Sequence, residues 1–432
     1  MNNATSQTAP SSRYKWAVVG MLWFVCFFNY ADRQAIYAVF PKLKEEFGFD
    51  AVELGLIGSA FMWVYAFGSP VAGYIADRFS RKHLILGGCL FWSAVTVATA
   101  WCSKLWHFVT VRALEGLGET FYFPASMSLL GDYHGRGSRS RAFSLHQSSV
   151  YAGTIGGGWL GGWFAEHHGW RGGFIAFGAA GMVLALVLYR YLRDRPRGAA
   201  DAPAEPAAAA ATPVGRPPGA METLRLMASK PTIWLLLGAF MSANFVATIF
   251  LTWTPYFLVE KFHFRLTSAG LSGSVFIHLA SALAVPVAGL LADRWAARHP
   301  GGRMAVQAVG LLVGALFVAG VALTRDVTTL LVAMACFGVC KGFYDSNIFA
   351  SVYDVIEPRA RASAAGLMNM IGWGGGALGP LFVGYATQHG RHADPMANMS
   401  EAIAAGAVIY VVGAVLLFLA AFVFARRDVL AA

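Results

Sequence analysis

The chain has 432 residues, of which 57% are apolar and only 13% are charged, and its mean hydropathy is +0.53. Soluble domains carry about 25% charged residues, so this composition excludes an ordinary soluble enzyme, and its high hydrophobicity excludes a disordered chain. The net charge of +10 fits either a nucleic-acid-binding protein or a membrane protein with basic loops, and the positions of the charges decide between them.

The first apolar run, residues 16–40, is longer than the 7–15 residues of a signal-peptide core and is followed by no small-residue cleavage site. We therefore predict an uncleaved membrane helix. Eleven further runs are each long enough to cross about 30 Å of hydrocarbon as a helix. They lie at 54–75, 84–102, 105–130, 142–165, 171–192, 232–258, 268–291, 303–324, 327–353, 363–386 and 401–425.

The basic residues orient these twelve predicted spans. With both termini and the even-numbered connections on the cytoplasmic side, 22 of the 33 Lys and Arg lie there and 8 lie on the other side. The remaining three, Arg33, Arg112 and Lys341, lie inside spans. Positive charge follows cytoplasmic loops, and no basic cluster has the pattern of a nucleic-acid footprint, so we expect no nucleic-acid partner.

An Ala/Pro-rich segment separates the first six spans from the last six, and such a composition favours a flexible linker. The predicted organisation is an all-α membrane protein of two six-helix bundles with both termini cytoplasmic. Its parts are an N-terminal tail at 1–15, a first bundle at 16–192, the linker at 193–230, a second bundle at 231–425 and a tail at 426–432.

The two halves share an internal repeat. Gly73-Tyr-Ile-Ala-Asp77-Arg78 closes span two, and Gly289-Leu-Leu-Ala-Asp293-Arg294 closes span eight, 216 residues later. An Arg-x-Arg-Ala pattern opens span five and span eleven, and a triple glycine at 156–158 recurs at 374–376. The first triple glycine matches GxGxxG, but no strand precedes it, so it indicates helix packing. Related repeats in a membrane place a binding site at their interface.

Five ionisable residues lie inside spans one and four. Asp32, Arg33 and Arg112 lie at similar depth, about 10–12 Å from the outer end, and Glu115 and Glu119 share one helix face with Arg112. An arginine fork suits a carboxylate, and a buried acid can exchange a proton for another partner. We predict that Arg33 and Arg112 bind a substrate carboxylate and that Asp32 and Glu119 carry protons. Glu115 is placed with the proton-coupling group, mainly as an ion-pair partner. The alternative is that these charges only pair with each other and hold helices together.

Other polar residues inside the spans are candidates for the cavity wall. Tyr65, Gln147, Asn244 and Tyr256 could bind substrate hydroxyls or make interhelical contacts. In the second bundle, Lys341, Tyr344 and Asp345 are cavity candidates, with Lys341 and Asp345 also spaced for a local ion pair. Of the histidines, His278 is expected in the core and His146 at the membrane interface.

The segment from Gly73 to Lys82 resembles the loop signature of the major facilitator superfamily, with Ser80 where glycine is usual. The resemblance extends over nearly the whole chain and implies two six-helix bundles that rock around a central cavity. We expect the signature to form a conformational gate at the cytoplasmic edge, with a weaker copy in the second half. The gate residues are Gly73, Asp77, Arg78, Arg81, Lys82, Asp293 and Arg294.

Two branches of that family share motifs with the chain. The runs Asn29-Tyr30-Ala-Asp32-Arg33, Trp63-Val-Tyr65 and Arg112-Ala-Leu-Glu115-Gly-Leu-Gly-Glu119 look like those of anion:cation symporters, which implies uptake of sugar acids and other organic anions with protons. The runs Asp77-Arg-Phe-Ser-Arg-Lys82, Phe91-Trp-Ser93 and Arg193-Asp-Arg-Pro-Arg-Gly198 look like those of spinster-type transporters, which implies lysolipids.

The sequence thus predicts a secondary active transporter for an organic anion, a carboxylate or sugar acid, by proton symport. The alternatives are a lysolipid exporter and, in another class, a non-transporting receptor or scaffold. No catalytic, nucleotide-binding or metal-binding motif occurs, so we expect no enzyme activity, no cofactor beyond the coupling proton and no metal. The composition favours a bacterial inner membrane, and the chain is expected to function as a monomer.

Overall fold

The computed structural model describes residues 12–76, 78–135, 138–196, 199–200, 220–357 and 360–429, and the regular elements of these ranges are helices. The first half contains α1 (Ser12–Ala38), α2 (Phe40–Phe47), α3 (Ala51–Ala76), α4 (Arg81–Thr99), α5 (Leu105–Thr120), α6 (Tyr122–Tyr133), α7 (Arg139–His167) and α8 (Trp170–Tyr191). The second half contains α9 (Ala220–Ala228), α10 (Pro231–Phe262), α11 (Leu266–Ala296), α12 (Gly302–Leu323), α13 (Val327–Asp345), α14 (Ile348–Val355), α15 (Arg361–His389), α16 (Pro395–Leu419), a π-helical turn (Ala420–Phe424) and α17 (Ala425–Asp428).

These helices make twelve long segments when α5–α6, α13–α14 and α16–α17 are each counted as one crossing. Among the described residues, eight segments are apolar and long enough to span a membrane by composition alone. The other four are α1, α5–α6, α7 and α15. Two of these, α1 and α5–α6, carry the predicted ionisable residues, and their charges lower the mean hydropathy. The expected all-helical fold is confirmed.

The fourth and tenth crossings are each broken at a matching place. Pro124 lies four residues after Thr120, so it cannot donate the helical hydrogen bond to the Thr120 carbonyl, and α5 gives way to α6 at Phe121. Between α13 and α14, the side chains of Ser346 and Asn347 both approach the carbonyl oxygen of Phe343 at 3.4 Å. Such side-chain bonds compete with the helix backbone. The first break lies at Phe121, two residues after Glu119, and the second follows directly after Asp345.

Glycines hold the two halves together on the face opposite the chain termini, which we call the opposite face. A Cβ on Gly270 of α11 would collide with the carbonyl oxygen of Gly158 on α7, and a Cβ on Gly384 of α15 would collide with the backbone of Ala51 at the start of α3. Such contacts let helix backbones approach closely. The predicted packing role of the first triple glycine is confirmed, because Gly157 also lies against Ala31 of α1.

Ion pairs reinforce this closure. Lys44 Nζ of α2 lies 2.9 Å from Glu260 Oε2 of α10. Glu166 at the end of α7 accepts hydrogen bonds from Arg265 Nε (2.6 Å) and from the backbone N–H of Thr267 (3.0 Å). Both pairs link the first half to the second. Toward the face where the termini lie, which we call the terminal face, a Cβ on Gly73 or Gly289 would meet no atom within 4 Å.

The segment between the halves is more structured than its composition predicts. The structure describes α9 within it, and Met227 of this helix is 4% exposed because it packs into the core of the second half. Lys230 Nζ then donates to the carbonyls of Val355 and Asp428, which fixes the start of α10. Residues 201–219 of the predicted linker lie outside the described part of the chain.

Candidate functional site

A cavity of about 210 Å³ lies between the two halves, near the middle of the long helices. Its wall is contributed by α1, α7, α10, α11, α13 and α15, so both repeats form it, as the duplication predicts. Of the predicted site residues, five line it: Arg33, Gln147, Asn244, Lys341 and Asp345. Wider depressions lie at the molecular surface, one of about 430 Å³ between α11 and α12.

Arg33 is the cation of the first half that reaches the cavity. Its Nη2 and Nε donate to Glu119 Oε2 at 2.6 and 3.1 Å, and the side chain is 3% exposed. Arg33 Nη1 and Glu119 Oε1 are buried and have no hydrogen-bond partner. The pair therefore keeps one free donor, on Arg33 of the cavity wall, and one free acceptor, on Glu119 behind it.

Four aromatic rings surround this guanidinium. Its Cζ lies 4.6, 4.3, 5.2 and 5.5 Å from the ring centroids of Tyr30, Phe61, Tyr65 and Trp373, respectively. Cation–π contacts of this kind stabilise a desolvated arginine. Tyr65, a predicted substrate ligand, thus contacts Arg33 and also Trp373, with 5.3 Å between the two ring centroids. Trp373 comes from the second half and brings α15 to this site.

Arg112 lies deeper, inside the first bundle. It forms an ion pair with Glu115, and both side chains are 1% exposed. Its Nη2 is 3.4 Å from the hydroxyl oxygen of Tyr37. The ring of Phe61 contacts both arginines, with Arg112 Cζ at 5.0 Å and Arg33 Cζ at 4.3 Å from its centroid. The structure therefore does not bring Arg112 to the cavity beside Arg33.

Asp32 lies behind the cavity wall and is fully buried. Thr96 Oγ1 is 3.4 Å from Asp32 Oδ2 and 3.4 Å from Glu115 Oε1, and it also donates to the Trp92 carbonyl at 2.9 Å. One hydroxyl has one proton, so it cannot satisfy both carboxyl groups. Asp32 Oδ1 has no partner. The cluster thus contains three carboxyl groups, from Asp32, Glu115 and Glu119, against two guanidinium groups.

The second half supplies a charged pair to the cavity. Lys341 and Asp345 form an ion pair along α13 and remain partly exposed. Asn244 also lines the cavity, although its side-chain amide donates to the Phe240 carbonyl at 2.9 Å. Tyr344 does not line it. This residue is 2% exposed, and its hydroxyl is buried without a partner.

Three further residues lie elsewhere than expected. Tyr256 is 3% exposed and lies near the opposite face, with its ring centroid 5.5 Å from Lys44 Nζ. His278, expected in the core, lines the cavity, where its Nδ1 is 2.9 Å from the Ser274 carbonyl oxygen. His146, expected at the interface, is fully buried between α6 and α7, where its Nε2 is 2.8 Å from the Tyr122 hydroxyl oxygen.

The predicted gate centres on Arg81 at the start of α4. Its guanidinium pairs with Asp132 at the end of α6 and with Asp194 after α8, where Nη2 is 3.0 Å from Oδ1. Lys82 Nζ lies 4.6 Å from the Tyr189 ring centroid, and Arg78 is exposed. Asp77, which we expect to take part, lies outside the described residues.

Partial burial of Asp194 acts to raise its pKa. The hydrogen bonds from Ser80 Oγ and the backbone N–H of Arg195, together with the Arg81 charge, outweigh that effect. The pKa of Asp194 therefore lies below its usual value, and this side chain stays ionised as the partner of Arg81.

In the second half, the corresponding ion pairs join the predicted Asp293 to Arg303 and Asp354, two residues that the sequence analysis missed. Arg303 Nη1 lies 2.6 Å from Asp354 Oδ2, and its Nη2 lies 2.8 Å from Asp293 Oδ1. Arg303 and Asp354 each lie 222 residues after Arg81 and Asp132, respectively. The repeat was the signal that could have identified them. Arg294 is not part of this arrangement and lies in the groove between α11 and α12.

Two six-helix halves, a cavity with charged side chains at their interface and ion pairs at both faces define a multi-pass membrane protein of the carrier type. The chain belongs to the Major Facilitator Superfamily, whose family model matches residues 22–380 and 275–430. This membership confirms the resemblance noted in the loop signature and fits twelve membrane crossings.

Relatives from two branches are similar to the chain. It is 28% identical to probable anion transporter 4, chloroplastic, of Oryza sativa subsp. japonica over 93% of this chain and 67% of that protein. It is 24% identical to the probable galactarate/D-glucarate transporter of Escherichia coli (strain K12), covering 89% and 90% of the two chains. Human protein spinster homolog 1 is 29% identical over 56% of this chain and 48% of its own length.

A solved structure shares the fold. The crystal structure of a bacterial homolog to the human lysosomal transporter spinster, in an inward-facing and unoccupied conformation, matches with a TM-score of 0.84 at 22% identity. The match covers 98% of this chain and 100% of that one.

Proposed function

We propose that the protein is a secondary active transporter that carries an organic anion with one carboxylate by proton symport. The observation that carries this proposal is the ion pair between Arg33, which lines the cavity, and Glu119 behind it, with a free donor on Arg33 and a free acceptor on Glu119. The names of similar proteins support it, since they include transporters of phosphate, ascorbate and sugar acids.

Substrate and proton compete for the two members of this pair. A substrate carboxylate takes the fork of Arg33, because two parallel hydrogen bonds suit its geometry. Glu119 then loses its counter-ion inside the protein, where an unpaired charge is costly, and it is stabilised by taking a proton. Binding of the anion and binding of the proton therefore support each other, which is the basis of symport.

The buried cluster formed by Asp32, Glu115 and Glu119 with Arg33 and Arg112 can bind a further proton. With three carboxyl groups and two guanidinium groups, it is electrically neutral when one acid holds a proton, and neutrality favours burial. Asp32 is the acid without an arginine partner and is assigned that proton. Arg112 and Glu115 form a fixed ion pair that holds Phe61 against Arg33. In this proposal Arg112 is a positioning residue and does not contact the substrate.

The rest of the cavity binds the body of the substrate. Gln147, Asn244 and His278 offer hydrogen-bonding groups, and the Lys341–Asp345 pair offers both a donor and an acceptor. Pockets that enclose drug-sized ligands measure about 300–1,000 Å³. A cavity of about 210 Å³ therefore suits a small hydroxylated monocarboxylate.

Alternating access follows from the closed opposite face and the open space beside Gly73 and Gly289 toward the terminal face. We assign this conformation as inward-facing, with both termini cytoplasmic because basic residues concentrate at that face. The gate arginines Arg81 and Arg303 stiffen the cytoplasmic ends of each half. The cell inner membrane of a bacterium is the proposed location, and a single chain contains the complete cavity.

Lysolipid transport is the second candidate, because one wall of the cavity is apolar. Phe250 and Phe337 stack with 4.5 Å between ring centroids, and Ile277 lies beside them. The likeness to spinster homologs points the same way. The cavity volume is the observation against it, since a lysolipid would need the halves to separate further along a lateral opening.

Uptake into proteoliposomes tests the proposal. Purified protein is reconstituted, an acidic exterior is imposed, and accumulation of labelled L-galactonate, D-glucarate and a lysolipid is followed. We expect gradient-driven accumulation of the monocarboxylate. Glu119→Gln should abolish accumulation but retain exchange of internal for external substrate. Glu45→Gln, on an exposed side chain of α2, is the matched control and should accumulate substrate like the unchanged protein.

Two outcomes would contradict the proposal. Full gradient-driven accumulation by Glu119→Gln would remove the coupling role of that residue. Lysolipid movement without any uptake of carboxylates would favour the second candidate.

A further inference from the structure

A groove opens on the outer surface of the second half, away from the transport cavity. It lies between α11 and α12 near the terminal face, has a volume of about 430 Å³, and has Phe343 of α13 in its lining. Leu291 and Val309, on the two facing helices, are each 42% exposed. Exposed apolar side chains on a membrane-spanning helix contact lipid, so this groove faces the bilayer.

Two arginines line the rim of the groove. Arg294 and Arg298 are four residues apart on α11 and the turn that follows it, and therefore lie on one side. Both are exposed. In the part of the chain that the structure describes, neither guanidinium has a carboxylate partner, because the adjacent Asp293 accepts from Arg303 instead. The rim thus carries two positive charges that the protein does not neutralise.

Trp295 lies between them and also lines the groove. It is 41% exposed. Tryptophan is enriched at the level of lipid headgroups, where its ring is apolar and its N–H can reach polar groups. The surface therefore changes from cationic to aromatic to apolar over a few residues, as a phospholipid changes from phosphate to glycerol to acyl chain.

We propose that this groove is a binding site for an anionic phospholipid of the leaflet at the terminal face. Arg294 and Arg298 hold the headgroup phosphate, and Leu291, Val309 and Phe343 contact the acyl chains. Guanidinium groups bind phosphate by charge-assisted hydrogen bonds, and basic pockets between membrane helices recognise anionic headgroups. The occupant is a lipid because free phosphate would use the two arginines and leave the apolar wall uncovered.

Native mass spectrometry of the purified full chain, released from detergent, tests the site. Phosphatidylglycerol, phosphatidylcholine and inorganic phosphate are titrated separately. We expect tighter binding of phosphatidylglycerol than of phosphatidylcholine, and a loss of about fivefold in affinity for each arginine replaced, as follows from about 1 kcal/mol per basic residue. The variant Arg294→Gln/Arg298→Gln should therefore bind phosphatidylglycerol no better than phosphatidylcholine.

The control is Arg190→Gln/Arg426→Gln, which removes the same charge from exposed arginines at the terminal face outside the groove. It should retain the preference for phosphatidylglycerol. Equal losses in both double variants would show a general charge effect and overturn the proposal. Saturable binding of inorganic phosphate with no preference between lipids would also overturn it. Thermal unfolding of each variant in detergent establishes that it is folded.

Discussion

Arg33 of α1, which lines the central cavity, forms an ion pair with Glu119 of α5, with Arg33 Nη2 2.6 Å from Glu119 Oε2. Each of these side chains leaves one polar atom without a hydrogen-bond partner. A buried pair with spare hydrogen-bonding capacity is poised to change partners, because breaking it exposes each charge to a large desolvation cost unless a substrate or a proton takes the vacated position.

Arg112, the buried arginine behind the cavity wall, should contribute to the stability of the fold. Replacing Arg112 by leucine leaves Glu115 buried without its counter-ion, which costs about 3–5 kcal/mol. We therefore expect Arg112→Leu to lower the thermal unfolding midpoint strongly in detergent. The double variant Arg112→Leu/Glu115→Leu removes both charges and should recover most of that loss. If the double variant is no more stable than Arg112→Leu, the pair is not a local structural unit.

The charge of Asp345 should set the charge of the substrate. With Glu119 protonated, the cavity wall carries Arg33, Lys341 and Asp345, a net charge of +1, which matches one carboxylate. Asp345→Asn raises this to +2, and we expect the ratio of D-glucarate to L-galactonate uptake to rise by about tenfold, or ~1.4 kcal/mol. Competition assays in proteoliposomes measure the ratio.

The control for this change is Asp326→Asn, which alters the cap of the same helix outside the cavity. It should leave the ratio of the two substrates where it was. An unchanged ratio in Asp345→Asn would show that Lys341 and Asp345 form a structural pair only.

Closure of the opposite face should depend on Gly270. A methyl group there collides with the Gly158 carbonyl oxygen, and α11 must move away from α7. We expect Gly270→Ala to reduce transport by about tenfold or more, because a misfit of about 1.4 kcal/mol shifts a conformational equilibrium by that factor. Spin labels at positions 45 and 263 should report a longer distance across this face.

Gly87→Ala, on α4, is the matched change, since its Cβ would meet no atom within 4 Å. Transport and label distance should both stay close to those of the unchanged protein. A normal distance in Gly270→Ala would mean that the two helices adjust without opening.

Asp194 should stabilise the terminal face in a pH-dependent way. Its pKa lies below the usual value, so its contribution is complete above about pH 4 and is lost as the pH falls through the lower, folded-state value. We expect Asp194→Asn to cost about 1–2 kcal/mol at pH 7. Unfolding midpoints of both proteins should differ equally at pH 7 and pH 5 and converge only below about pH 4. Convergence already at pH 5.5 would assign the effect to another group.

Much of the fold can be predicted from the sequence alone, because it depends on properties of individual helices. Runs of apolar residues, the cost of exposing backbone to lipid and the bias of basic residues predict twelve helices and their order. The duplication predicts a site between the halves, and a cavity lies there. Charge inside a membrane is rare and costly, which is why Arg33 and Glu119 could be selected as site residues from sequence.

Only the tertiary structure shows which of these residues reach the cavity. Arg33 and Arg112 are predicted at one depth and as one clamp, yet Phe61 contacts both and only Arg33 reaches the cavity. Depth follows from position along a helix, whereas the direction of a side chain depends on how neighbouring helices pack around it. The same reason places His278 in the cavity wall and His146 in the core.

The predicted gate shows most clearly what the sequence reveals and what only the packing of helices decides. The motif from Gly73 to Lys82 can be recognised in the sequence. The ion-pair partners of its Arg81, Asp132 and Asp194, lie 51 and 113 residues away in the chain. No local spacing links residues so far apart in the chain. Helical periodicity and hydropathy therefore determined the helices and their order along the chain. The packing of those helices, governed by contacts distant in sequence, determined the cavity and the ion pairs around it.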